Sequence, residues 1–288
     1  MSQTKVLKRS GKRGIESMPA QIVLVILLVI VLLLVAMPLL VTLVMSVKGP
    51  DDIMNYPIWT LPVSGWYFSN YSEAFAALSM PMLYTVLLDL GATFIVMFGS
   101  CYIAFLFERK RFAGKKALFF FIIAPMMVPG VVLLSSTYIV VAQWLGLRAN
   151  WLGLLLPYIA GNQISSIFML RVFLGQHPDS LYEASQLDGA NTFQVFFYIC
   201  LPLAVPIMMV QGIGIFAAIY NDYLWPQLLF QGQLDKGMIM PYLKQICQDS
   251  TQGVQYAMYM VSGIPLIIST IVSIKFFVSG DFASGMKL

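Results

Sequence analysis

The stretch Glu183–Pro206, EASQLDGANTFQVFFYICLPLAVP, joins a short polar segment directly to a long apolar run. The polar part is acidic, because Glu183 and Asp188 follow closely on Asp179 and the stretch contains neither Lys nor Arg. Short loops at the cytosolic edge of a membrane usually carry an excess of Lys and Arg. An acidic segment that opens into an apolar run therefore indicates a loop that is covered by another protein and not by lipid.

The composition around this stretch is that of an integral membrane protein. Of the 288 residues, 59% are hydrophobic and 10% are charged, whereas about 25% of the residues of a soluble domain are charged. The net charge of +4 comes from basic residues that cluster beside apolar runs, which indicates membrane orientation and excludes nucleic acid as a partner. Cys101, Cys200 and Cys247 share no short spacing, so we expect neither a disulfide framework nor a metal site.

Six apolar segments are long enough to cross a bilayer as helices, since about 20 residues span the hydrocarbon core. The predicted spans are residues 21–46, 83–107, 118–145, 151–173, 193–220 and 256–278. Pro125, Pro129 and Gly130 interrupt the third span. The segments 48–80 and 221–255 are predicted to be external, and the first of them contains Trp and Tyr residues of the kind found at membrane interfaces.

The positions of Lys and Arg predict the orientation of the spans. Thirteen of the 17 basic residues fall in segments on one side and four on the other, and the more basic side is normally the cytosol. Both termini and the acidic loop 176–192 are then cytosolic. The predicted architecture is all-α, with a basic tail of residues 1–19, one six-span transmembrane domain of residues 20–280 and a C-terminal cytosolic tail of residues 281–288.

The acidic loop is predicted to form a helix, a tight turn and a second helix. Pro178 and Asp179 are typical of a helix start, and Gly189 permits a backbone turn that a side chain resists. Asn191 or Thr192 then caps the next helix, which enters the membrane as the fifth span. Such an element is suited to transmit a push from a cytosolic partner to that span.

The same loop carries a resemblance to a known family. The residues concerned are Glu183, Ala184, Asp188, Gly189, Ala190, Ile199, Leu201, Pro202 and Pro206. Their spacing resembles the EAA signature of bacterial ABC importer permeases, although Ser185 stands where the consensus has a second Ala. In that family the signature forms the coupling helix, which sits in a cleft of the cytosolic ATPase subunit. The resemblance implies an ATPase-coupling site formed by Glu183, Ala184, Ser185, Asp188, Gly189 and Ala190.

Further stretches narrow the resemblance to carbohydrate importers of the maltose type, and to the smaller, six-span permease of the pair. Residues 220–226, YNDYLWP, resemble the Trp-Asn-x-Phe-Leu-Trp-Pro of that group, with Tyr220 in place of Trp. Residues 282–287, FASGMK, are similar to the short tail that reaches the ATPase interface in that group. The resemblance implies contacts there by Ser284, Gly285, Met286 and Lys287.

Polar residues within or beside the spans are candidates for a substrate path. They are Asn162, Gln163, Gln211, Tyr220, Asn221 and Asp222. For the amides, the alternative is a hydrogen bond that holds neighbouring helices together. Asp89 has the same two interpretations, a pathway carboxylate or an interhelical hydrogen bond, because a charged group is costly inside a membrane. In the maltose-type importers the partner permease carries the binding residues, so the resemblance leaves their location open.

The resemblance implies a subunit of an importer in the bacterial cytoplasmic membrane. Its expected partners are a second homologous permease, two cytosolic ATPase subunits, an external sugar-binding protein and membrane lipid. We expect ATP and Mg²⁺ to bind to the ATPase partner, and no cofactor or metal to bind to this chain, because the sequence has no G-x-x-x-x-G-K-[ST] phosphate loop. A single histidine, without paired carboxylates in an apolar pocket, argues against an enzyme.

Two other kinds of transporter remain as alternatives. One is an ABC permease for another small polar solute, such as glycerol phosphate, an amino acid or a polyamine. The other is a secondary transporter driven by an ion gradient, which is disfavoured because the predicted spans contain few charged residues.

Overall fold

The computed structural model describes residues 18–278, and within this range the regular structure is entirely helical. The predicted C-terminal tail contacts lie outside the described residues; these are Ser284, Gly285, Met286 and Lys287. Nearly all of the predicted basic tail 1–19 also lies outside the described range. Residues 18 and 19, predicted as its end, belong instead to the first helix.

The described range is built from helices of very different lengths. The α-helices are α1 (Met18–Ser46), α2 (Pro50–Asn55), α3 (Ser69–Arg109), α4 (Lys115–Ile123), α5 (Gly130–Tyr138), α6 (Trp151–Leu174), α7 (Asp179–Leu187), α8 (Thr192–Val195), α9 (Leu201–Tyr220), α10 (Leu224–Leu229), α11 (Ile239–Gln248), α12 (Gln252–Ser262) and α13 (Ile264–Val278). Short 3₁₀ turns follow α4 at Ala124–Met127 and α10 at Leu234–Lys236. π turns follow α5 at Ile139–Trp144 and α8 at Phe196–Cys200, and the second joins α8 to α9 as one helix, Thr192–Tyr220.

Five helices of the described range are long and apolar enough to cross a membrane. The third predicted span is bent, since Lys115–Met127 and Gly130–Trp144 meet at 97°, and counting this pair as one span gives six. The bend falls at Pro129, whose fixed φ and missing amide hydrogen stop the preceding helix. The prediction of an all-α protein with membrane-spanning helices is confirmed for the described residues, while the cytosolic orientation of the termini stays a prediction.

The second span begins much earlier than the sequence indicates. The predicted external loop extends to residue 80, but α3 begins at Ser69 and contains 41 residues. The prediction of a loop conformation was wrong for residues 69–80, because Ala74 and Leu78 are buried on one face of this helix, where they pack in a cluster with Ile239 of α11. Tertiary packing therefore accounts for a helix over residues that the sequence assigns to a loop. The external location of the segment stays a prediction.

The second predicted external segment, residues 221–255, also contains helices. It comprises α10, α11 and the first turn of α12. The backbone amide of Ile239, at the start of α11, donates to Thr85 Oγ1 at 2.9 Å and so ties this segment to α3. The sixth span is formed by α12 and α13, and it begins at Gln252 and not at Tyr256.

α3 is the central helix of the described bundle. It packs against α6, α9, α11 and α12. Buried apolar clusters follow its length, the first around Leu78, the second around Val96 and the third around Phe105. The third cluster includes side chains of α6, α7 and the π turn before α9, so it marks the end of the bundle at which α7 lies.

Buried polar side chains fix the loop between α1 and α3, which lies at the end of α3 opposite to α7. Lys48 is fully buried and donates from Nζ to the Pro57 carbonyl at 2.9 Å and to Thr60 Oγ1 at 3.0 Å. Asp52 accepts hydrogen bonds from Ser64 Oγ at 2.7 Å and from two backbone amides. The Ser64 hydroxyl holds the pKa of Asp52 below its ordinary value. Both charged groups are thus satisfied within the loop.

Asn70, in the first turn of α3, joins this loop to α1 and α12. Its Nδ2 donates to the carbonyls of Ser46 and Lys48, both at 3.0 Å. Gly253 of α12 lies against the same atoms, because a Cβ placed there would be 2.6 Å from Asn70 Nδ2 and 2.6 Å from the Lys48 carbonyl oxygen. Glycine is therefore required for this close approach.

Candidate functional site

α7 lies against the Arg109 end of α3 with one face packed and the other free. On the packed face, Tyr182 is only 3% exposed, and the buried Ser185 hydroxyl donates to the Tyr182 carbonyl at 2.7 Å. On the free face, Glu183 and Ala184 are exposed, and Leu187 is 89% exposed. The free face therefore presents a carboxylate beside a large apolar side chain.

The turn after α7 is a Schellman motif with Gly189 at its centre. The amide of Asp188 donates to the Ala184 carbonyl at 3.1 Å, and the amide of Ala190 donates to the Ser185 carbonyl at 3.0 Å. Gly189 has a φ of +80°, and this left-handed conformation costs other residues about 1–2 kcal/mol. A Cβ at Gly189 would meet nothing within 4 Å, so backbone conformation and not space favours glycine here.

The helix after the turn begins with a capping box. Asn191 Oδ1 accepts from the amide of Gln194 at 2.9 Å, and Gln194 Oε1 accepts from the amide of Asn191 at 2.8 Å. Of the two caps that the sequence allows, Asn191 is used and Thr192 is the first helical residue. The helix, the turn and the second helix are therefore all present, and their role in coupling stays a prediction.

Arg109, the last residue of α3, fixes the junction between α6 and α7. Its guanidinium forms an ion pair with Asp179 and donates to the carbonyls of Leu174 and His177, the latter at 3.0 Å. The guanidinium carbon also lies 4.0 Å from the centre of the Tyr182 ring. One side chain thus contacts the last turn of α6, the connecting residues and the first turn of α7.

A second ion pair joins α3 to α6 beside this junction. Arg171 Nε donates to Glu108 Oε2 at 3.1 Å, and the Arg171 guanidinium lies 4.0 Å from the centre of the Phe119 ring in α4. Sequence reasoning treats these basic residues only as determinants of membrane orientation. It misses their pairing because the acidic partners of Arg171 and Arg109 are 63 and 70 residues away along the chain.

Burial keeps the two titratable rings beside Arg109 neutral. It raises the pKa of Tyr182 to about 12. Burial also lowers the pKa of His177, and the positive charge of Arg109 lowers it further. The His177 ring packs edge-to-face on Phe173 with their centres 5.0 Å apart. Both rings are therefore uncharged at neutral pH, next to the positively charged Arg109.

Two of the predicted substrate-path residues are connected through Tyr158 of α6. Asn162 Nδ2 donates to the Tyr158 carbonyl at 2.8 Å, and the Tyr158 hydroxyl donates to Asp222 Oδ2 at 2.8 Å. Asp222 also accepts a hydrogen bond at 3.1 Å from the amide of Leu224, the first residue of α10. These contacts make a structural link between α6 and α10.

The remaining candidates lie apart from this link. Tyr220 is fully buried, and its hydroxyl donates to the Ser262 carbonyl at 2.8 Å. Asn221 is exposed and donates to the carbonyl one turn before it, at 2.8 Å. Gln163 is half-buried, and its carbonyl accepts a 3.5 Å hydrogen bond from Ser100. In the described part of the chain, Gln211 Oε1 is a buried acceptor without a hydrogen-bond partner, as is Asp89 Oδ2.

Comparison with known sequences establishes the class of protein. Residues 97–282 match the family described as binding-protein-dependent transport system inner membrane component. The chain belongs to this family: it is a multi-pass ABC importer permease subunit and not an enzyme, as the EAA resemblance predicts. Membership implies a partner permease, an ATPase and a binding protein in the same transport system.

Two relatives and one solved structure illustrate the similarity. The probable ABC transporter permease protein YurM of Bacillus subtilis is 31% identical over 254 residues, which cover 87% of this chain and 83% of YurM. The diacetylchitobiose uptake system permease protein NgcG of Streptomyces coelicolor is 28% identical over 237 residues, which cover 80% of this chain and 77% of NgcG. The same fold occurs in one chain of the crystal structure of a bacterial ABC transporter involved in the import of the acidic polysaccharide alginate. The TM-score is 0.74 and the sequence identity is 23%, and the match covers 90% of this chain and 97% of that chain.

Proposed function

We propose that this chain is one permease half of an ATP-driven importer that moves a sugar or oligosaccharide from an external binding protein into the cytosol. Family membership supports the importer part of the proposal. The relative NgcG, named for diacetylchitobiose uptake, supports a carbohydrate substrate. The sequence YNDYLWP at residues 220–226 supports the same class, because it resembles the corresponding run of carbohydrate importers.

The coupling part of the proposal rests on the two faces of α7, one packed against α3 and the other exposed. Tyr182 and Arg109 anchor one face of this helix, whereas Glu183 and Leu187 extend from the other. In our proposal the free face binds a cleft of a cytosolic ATPase subunit, with Glu183 opposite a basic residue of that subunit. ATP and Mg²⁺ bind to the pair of ATPase subunits and not to this chain.

The mechanism that follows is alternating access driven by movement of α7. Closure of the ATPase pair around ATP displaces α7, and the short turn through Gly189 passes the displacement to the helix Thr192–Tyr220. This helix contains Pro202 and Pro206, which remove backbone hydrogen bonds and make it easier to bend. In the proposed mechanism, rotation of this helix opens a substrate cavity of the importer toward the binding protein.

Uptake assays test the substrate class and the energy source. In cells that lack this chain, we expect uptake of at least one labelled sugar from a panel to be lost and to return when the chain is supplied. Depletion of ATP should abolish that uptake, whereas collapse of the ion gradients at constant ATP should leave most of it. Uptake that followed the ion gradient would instead indicate a secondary transporter. Loss confined to glycerol phosphate, an amino acid or a polyamine would change the substrate class.

Reversing the charge of Glu183 is expected to weaken attachment of the ATPase. Close charge pairs at protein interfaces couple by about 1.5–7 kcal/mol, so Glu183→Lys should reduce the ATPase that copurifies with the chain by about tenfold. Glu73→Lys is the matched control, because Glu73 is an exposed acid at the other end of α3. Equal recovery of ATPase with both variants would contradict docking at α7.

A further inference from the structure

Among the residues that the structure describes, α7 has few attachments to the other helices, and Arg109 makes several of them. The side chain of Arg109 is 9% exposed, although that of its ion-pair partner Asp179 is 80% exposed. The guanidinium contacts α6 through the Leu174 carbonyl, the connecting segment through the His177 carbonyl and α7 through Asp179 and the Tyr182 ring. It therefore fixes α7 in direction as well as in distance from the end of α3.

The Tyr182 ring completes this attachment from the α7 side. It packs near Phe105 of α3, with ring centres 6.5 Å apart, and belongs to the buried cluster that includes Leu170 of α6 and Phe196. The guanidinium over the ring adds a cation–π contact at a mostly buried site. A movement of α7 relative to α3 would have to break the ion pair, the carbonyl contacts and this stack together.

α3 reaches from this junction to the other end of the described structure. At 1.5 Å per residue, its 41 residues extend about 60 Å. Near the middle of α3, Thr85 Oγ1 accepts the first amide of α11 at 2.9 Å. At the far end, Asn70 holds the loop after α1. One continuous helix therefore connects α7 with the segments on the side that faces the binding protein in the proposed importer.

We infer that Arg109 is a positioning residue for energy coupling, the joint through which displacement of α7 moves α3 together with the fifth span. The inference rests on the proposed docking of the ATPase at α7. Through this joint, the nucleotide state of the ATPase acts on α11 and on the loop after α1, as well as on the cavity. Lysine cannot replace the arginine, because a single ammonium lacks the planar set of donors that contacts two carbonyls, a carboxylate and a ring at once.

The test uses the complete transporter, copurified with its partner permease and ATPase subunits and reconstituted with binding protein and the transported substrate. In Arg109→Lys, we expect the amount of substrate transported per ATP hydrolysed to fall by about tenfold. Asp179→Asn, which removes only the exposed ion-pair partner, should lower the same ratio by a smaller factor. Arg111→Lys is the matched control, because Arg111 is an exposed arginine two residues further on, and its ratio should stay within about twofold of the wild-type ratio.

The ratio separates coupling from a general loss of folding, since misfolded complexes lower transport and hydrolysis together. An unchanged ratio in Arg109→Lys would overturn the inference. Crosslinking of the ATPase to Leu187→Cys in the same preparations separates this result from a failure of the proposed function. If α7 crosslinks and the ratio is unchanged, Arg109 is not the joint; if α7 does not crosslink to the ATPase in the wild-type background, docking at α7 itself is wrong.

Discussion

Replacing Gly189 by glutamate is expected to abolish substrate uptake while the binding protein still captures its ligand. Gly189 has a φ of +80°, and forcing a residue with a side chain into this conformation costs about 1–2 kcal/mol. The new side chain would have free space within the chain, so the fold of the bundle should survive. It would, however, tilt α7 and place a second acid beside Asp188 on the surface proposed to meet the ATPase. Uptake of labelled substrate and ligand binding by the binding protein are the two measurements.

Two variants control this experiment. Gly232→Glu places the same side chain at a similar φ of +84°, also in open space, but in the segment between α10 and α11. It should retain most of the uptake, because the local strain is equal and α7 is untouched. Gly189→Asn should be intermediate, since asparagine tolerates the left-handed conformation better than other side chains. Full uptake by Gly189→Glu would be incompatible with a coupling role for this turn.

Adding one methyl group at Gly253 is expected to destabilise the protein at the opposite end of α3. A Cβ there would lie 2.6 Å from the Lys48 carbonyl oxygen and 2.6 Å from Asn70 Nδ2. The backbone carbonyl cannot turn aside, and moving Asn70 would break its bonds to the Ser46 and Lys48 carbonyls. Overpacking of this kind costs about 1–3 kcal/mol, and loss of the Asn70 bonds places Gly253→Ala at the upper end of that range. The thermal unfolding midpoint in detergent measures the effect.

Gly214→Ala is the matched control for this second substitution. Gly214 is also helical, but a Cβ at that position would meet nothing within 4 Å. Alanine should therefore raise or leave unchanged the unfolding midpoint, because it favours the helix over the unfolded chain. If the unfolding midpoint of Gly253→Ala equals that of Gly214→Ala, the contact of Gly253 with Asn70 and Lys48 leaves room for a methyl group, and the prediction is wrong.

The local structure around α7 was predictable because it depends on short-range rules. Pro178 precedes the helix, Gly189 ends it in a left-handed turn, and Asn191 with Gln194 forms the next cap. Each of these signals needs only three or four neighbouring residues. The attachment of α7 to α3 was not predictable in this way, because Arg109 meets its partners only after α3 and α6 have packed together.

The length of α3 escaped prediction for a related reason. Its first turns carry polar and aromatic residues that are equally typical of an external loop, and only packing against α9, α11 and α12 buries Ala74 and Leu78. The substrate-path candidates show the same ambiguity. The sequence alone does not distinguish a tyrosine whose hydroxyl is free to bind a ligand from Tyr220, whose hydroxyl donates a hydrogen bond to the Ser262 carbonyl.

The π turn Phe196–Cys200 adds one residue to the fifth span, compared with a regular α-helix. In it, the amide of Leu201 bonds to the Phe196 carbonyl, five residues back instead of four. The helix between α7 and the membrane thus carries one surplus residue just before Pro202. Absorbing that residue into regular α geometry would turn everything beyond it by about 100° and shift it by ~1.5 Å. A small change of hydrogen-bond register at this turn, close to α7, would therefore rotate the apolar helix Leu201–Tyr220 through a large angle.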